Sequence, residues 1–63
     1  MDINDLRTEL KLSMEQNRLP RKVYTHSNFY NESLEIVDEF CDTFGVFVEL
    51  IESPATNGVK IEY

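Results

Sequence analysis

His26 and Cys41 are the only histidine and the only cysteine among 63 residues, so this one pair would have to carry any nucleophile–base chemistry. A cysteine attacks as its thiolate, at an accessible and electropositive position beside a base or a cation. Helical phase instead sets Cys41 beside Val37 and Phe44, in a segment whose other side carries Asp38, Glu39 and Asp42. Anionic surroundings disfavour a thiolate. Cys41 is therefore read as a small apolar packing residue.

The carboxylates are numerous but carry no reaction by themselves. Acid–base work needs two carboxylates whose environments differ, and those of residues 32–42 share one solvated side. The run "DEFCD" lacks the alternating oxygen ligands and the glycine of a calcium loop. His26 and Cys41 are too few for a zinc site. Gly45 and Gly58, the only glycines, do not form a phosphate-cradling loop. The chain is accordingly expected not to be an enzyme, with no catalytic, cofactor-binding or metal-ligating residue, no cofactor and no small-molecule substrate.

Charge is the most informative functional feature. The formal net charge is −6. Residues 1–22 sum to +1 and residues 23–63 to −7, with Lys60 the only lysine or arginine of the second part. A protein that reads duplex nucleic acid presents a basic stripe, so direct nucleic-acid binding is disfavoured by sign. The same sign disfavours a membrane surface. Arg18, Arg21 and Lys22 make a small basic cluster beside a turn and read as solvated.

The elements that position these groups follow from periodicity. "MDINDLRTELKLSMEQNR" reads as a first helix, with Asp2 as its cap and Ile3, Leu6, Leu10 and Met14 as its apolar stripe. Leu12 points to the opposite side. Pro20 blocks continuation, and a short strand is expected near residues 21–26. A second helix begins between Ser27 and Asn31 and ends at Phe44. Its apolar face carries Val37, Phe40 and Phe44; Glu32, Glu35, Asp38, Glu39 and Asp42 share the other. Gly45 suits the left-handed residue that closes a helix.

"VFVELIES" then reads as a strand, with Val46, Val48 and Leu50 facing one way and Phe47, Glu49 and Ile51 the other. Large apolar groups on both faces suggest a central position or cover on both sides. Asn57-Gly58 marks a turn, and "VKIEY" a returning strand. The expected fold is α+β: a single two-layer domain over residues 1–63 in the order α-β-α-β-β, its helices packed on a sheet that ends in an antiparallel hairpin.

A chain this short buries only about 60 % of the surface it exposes when unfolded. Without a disulfide or a metal, self-association or a partner protein is the remaining common support. With no long apolar run and no recognisable secretory or lipidation signal, the protein is expected in the cytoplasm.

Two readings of function result. In the first, a small acidic inhibitor docks through Glu32, Glu35, Asp38, Glu39 and Asp42, with Glu49, Glu52 and Glu62 nearby, on the basic, nucleic-acid-binding surface of a larger protein. In the alternative, the chain is a homodimer or an obligate structural subunit whose acidity is incidental. Leu12, Tyr24, Phe29, Phe47 and Tyr63 would then supply contacts, and added salt would change affinity little.

The opening "MDINDLRTEL" resembles the start of a small acidic prophage-encoded Cas9 inhibitor, one of the anti-CRISPR proteins. Size, charge and compact α+β order are likewise similar to those of phage proteins that block host enzymes. The resemblance implies an inhibitor acting in a bacterial host cell on a larger bacterial protein. Past residue 10 the chain does not follow that inhibitor, and no residue role transfers.

Overall fold

Ile3, Leu6, Leu10 and Ser13 recur at three- and four-residue steps and form the buried stripe of the first helix, α1 (Ile3–Glu15). The computed structural model describes residues 2–63, so Met1 of the expected helix lies outside the described residues. Two details differ from expectation. Asp2 accepts from the Asp5 N–H through its backbone carbonyl at 3.0 Å, while its side chain makes no capping bond. The helix also stops before Arg18, because Asn17 adopts φ 57°. The N–H groups of Asn17 and Arg18 then turn back onto the carbonyls of Met14 (3.1 Å) and Ser13 (2.8 Å), closing a Schellman motif.

After Pro20 the chain extends into β1 (Lys22–Thr25), and a single 3-10 turn (Ser27–Phe29) leads into α2 (Tyr30–Phe44). His26 caps that turn, its Nδ1 accepting from the Asn28 N–H at 3.1 Å. Ser33, Val37 and Phe40 are the buried positions of α2. Cys41 is half-buried at the margin of this face, packed against the core but not enclosed by it.

Gly45 closes α2 at φ 66°, and the Val46 N–H reaches the Cys41 carbonyl at 3.2 Å. A Cβ at Gly45 would meet nothing within 4 Å. Gly45→Ala should therefore destabilise the protein by about 1 kcal/mol through backbone strain alone. A denaturant titration measures this, and an unchanged midpoint would show that the turn relaxes.

The last two strands, β2 (Glu49–Glu52) and β3 (Val59–Glu62), complete a mixed sheet in the order β2-β1-β3. This corrects the expected hairpin, since β2 and β3 do not pair with each other. β2 runs parallel to β1, with α2 as the crossover, and β3 runs antiparallel on the other side of β1. Val23 and Thr25 of β1 are wholly buried, whereas β2 begins and ends on exposed glutamates, so β1 is the central strand and β2 an edge.

Residues 53–58 step past the end of β1 and do not fold back directly. The Thr56 N–H donates to Ser53 (3.0 Å), and the His26 N–H donates to Gly58 (3.0 Å). Two strand spacings amount to roughly 10 Å, which six residues cross easily.

Both helices lie on one face of the sheet. Thr25 and Ser33 share a hydroxyl hydrogen bond of 2.9 Å between β1 and α2. The Tyr63 hydroxyl, beyond β3, meets Ser13 of α1. Between the layers, Ile3, Leu6, Leu10, Val23, Val37, Phe40, Val48 and Val59 form the core.

Candidate interaction site

Glu32, Glu35, Asp38, Glu39 and Asp42 are all exposed on the outer side of α2, as helical phase requires. The fold brings two cations of α1, Arg7 and Lys11, to the groove that Glu39 borders. Arg7 of α1 contacts Glu39 at 3.2 Å, with both side chains more than half exposed, and no other ion pair forms among the described residues. A pair so open to solvent contributes little.

The remaining acids repel one another along the helix. Glu32/Glu35, Glu35/Asp38 and Glu39/Asp42 are three residues apart, and Glu35/Glu39 and Asp38/Asp42 four apart. Like charges at these spacings destabilise a helix by ~0.2–0.5 kcal/mol per pair. Asp42 also lies in the last turn, which contains no basic residue. There a carboxylate opposes the helix dipole. Lysines interspersed among these acids would avoid both penalties.

The other anticipated contact residues are not part of this surface. Glu49 stands level with Lys22, and Lys22 level with Glu62, so all three project from the sheet face that the helices leave uncovered. Glu49 is thus separated from the α2 acids by the whole thickness of the domain. Leu12, 40 % exposed, lies about 140° around α1 from Arg7 and so on the flank turned away from α2.

Two of the aromatic contact candidates are also occupied. Tyr63 is held under the Arg18 guanidinium, 4.1 Å from its ring centroid, and Phe29 packs on the core. The expected basic cluster disperses, with Arg18 on Tyr63 and Lys22 between two glutamates. Charge that is divided along the chain is therefore partly evened out in space. The outer side of α2 stays strongly negative.

Sequence reasoning missed the uncovered sheet face as a unit. Tyr24 and Ile51 stand level on it beside Lys60, and the Tyr24 hydroxyl donates to Glu62 at 3.1 Å. Alternation in residues 46–51 was a partial signal for it, but the row that joins the three strands exists only once they pair.

Enclosed space is scarce. The groove between the helices, lined by Leu10, Ile36, Phe40 and Thr43, has a volume of ≈ 40 Å³, against ~300–1,000 Å³ for small-molecule sites. The larger depressions, beside Asp38 and Asp42 and beside Met14 and Phe44, are open to solvent. Among the described residues no group of three or more His, Cys, Asp or Glu side chains is placed to hold a metal ion. Among the described residues no helix is long and apolar enough to cross a membrane. No family model, curated protein or solved structure matches the chain.

Proposed function

We propose that the chain is a small non-catalytic binding protein whose α2 face docks on a basic, nucleic-acid-binding surface of a larger bacterial protein, as phage-encoded inhibitors do. The observation that carries this reading is the acidity of the outer side of α2. Its carboxylates repel one another at helical spacing, and one opposes the helix dipole, with one ion pair to Arg7, and Lys11 at the same groove, in compensation. Proteins tolerate such destabilisation where a site needs it. A convex row of carboxylates offers a basic groove the charge pattern of a phosphate backbone. Its field would speed association and weaken with salt. The similarity of the opening residues to an anti-CRISPR inhibitor points the same way.

The test is capture from a bacterial lysate on the immobilised chain at low salt, with elution by a DNA or RNA oligonucleotide. A nucleic-acid-binding protein released by the competitor is the expected result. Capture that neither the oligonucleotide nor added salt reverses would overturn the reading.

A further inference from the structure

The sheet is covered on one face only, and its uncovered face has properties that α2 lacks. One row across it reads Glu49, Lys22, Glu62 and the next reads Ile51, Tyr24, Lys60. Two lysines balance two glutamates, in a chain whose formal net charge is −6. At the entrance to β2, Phe47 lies between the core-packed Val46 and Val48 and turns away from the core, 81 % exposed. Among the described residues it is the most exposed of the large apolar side chains.

The crossover helix α2 and its neighbour α1 supply a single layer on one face of this mixed sheet, and among the described residues no element covers the other.

We infer that this face is covered by a second copy of the chain, sheet against sheet, giving a symmetric dimer with the helices outside. Charge selects the occupant. Two copies of an acidic protein repel each other unless they meet where the local charge cancels, and this face is self-complementary in that sense. A two-fold axis running across the strands sets Lys60 of each copy over Glu62 of the other, and Lys22 over Tyr24, where an ammonium meets a ring face. The same axis sets Glu49 over Ile51 on the edge strand β2, where the carboxylate can reach solvent, and Phe47 adds apolar area at the rim.

The arrangement also directs the two α2 faces to opposite outer surfaces, where their like charges are furthest apart. Three strands of four residues span only about 13 × 14 Å, so such a contact is small, below the ~1,200 Å² of standard specific interfaces and in the range of weak, transient ones. The dissociation constant should accordingly be high micromolar or weaker.

Sedimentation equilibrium of the full chain, from low micromolar to millimolar concentration and at low and high salt, tests this. A monomer–dimer equilibrium that tightens as salt screens the net repulsion is expected. Phe47→Glu should weaken it tenfold or more, and Leu12→Glu, on the far flank of α1, should leave it unchanged. Lys60→Glu should weaken it as well, and the Lys60→Glu/Glu62→Lys exchange should restore it. Circular dichroism confirms that each variant is folded.

A monomer at every concentration and salt would overturn the inference and leave the face to a different protein. A dimer as tight in Phe47→Glu as in the parent would overturn it too, as would one lost with Leu12→Glu. None of these outcomes bears on capture through α2.

Discussion

Phe40→Ala is expected to leave most of the chain unfolded at room temperature. Phe40 is 6 % exposed, lies among the core residues of both layers and stacks on Phe44 at a centroid distance of 5.0 Å. Truncating a buried phenylalanine removes ~3–5 kcal/mol, about the whole stability that a core of this size supplies. The comparison that gives the result meaning is Phe47→Ala. That substitution deletes the same side chain from a position 81 % exposed and should change stability by no more than about 0.5 kcal/mol in the monomer. Far-UV circular dichroism and denaturant titration at low protein concentration measure both. If Phe40→Ala proved as stable as the parent, α2 would have to meet the sheet through a different stripe.

Glu35→Lys combined with Asp42→Lys should raise stability and lower partner binding together. Every like-charge pair on the outer side of α2 includes one of these two positions, so the double substitution reverses them all. A lysine in place of Glu35 would face Glu32, Asp38 and Glu39, and one in place of Asp42 would face Asp38 and Glu39, at spacings where opposite charges attract. The change at Asp42 would also put a cation at the negative end of the helix. Glu39 keeps its contact with Arg7, and both substituted side chains are exposed, so the core is not disturbed.

After allowance for solvent screening, the gain should be about 1–2 kcal/mol. For a domain of this size that raises Tm by roughly 5–15 °C. Affinity for a protein captured through α2 should fall about 10- to 100-fold, with a flatter salt dependence. Opposite signs in the two measurements would identify the acids as functional. A more stable variant that captures as well as the parent would show that the acids are only a solvated surface.

Where local spacing carries the information, the chain is legible without coordinates. Ile3, Leu6 and Leu10 mark α1, and Val37 and Phe40 mark α2, because a helix face is set by residues three and four positions apart. Gly45 marks the end of α2 because a left-handed residue is needed there and few residues other than glycine adopt it readily. The alternation of Val46, Val48 and Leu50 with Phe47, Glu49 and Ile51 correctly separates core from surface, since side chains on a strand alternate whatever the neighbouring strand is. The acidic face is legible for the same reason, because its carboxylates share one helix.

Strand order is not local. Asn57-Gly58 announces a turn, but a turn does not say which strand lies beside which. The segment it belongs to, residues 53–58, is long enough to pass an intervening strand. That strand is β1, drawn to the centre because Val23 and Thr25 become wholly buried when β2 and β3 flank it, while the glutamates that end β2 stay in water at the edge. Register then puts Lys22 between Glu49 and Glu62. Glu49 is thereby removed from the acidic surface and a charge-balanced sheet face appears. Side-chain spacing along one element is a property of the backbone, whereas the partner across a sheet is chosen by burial that only the assembled layers provide.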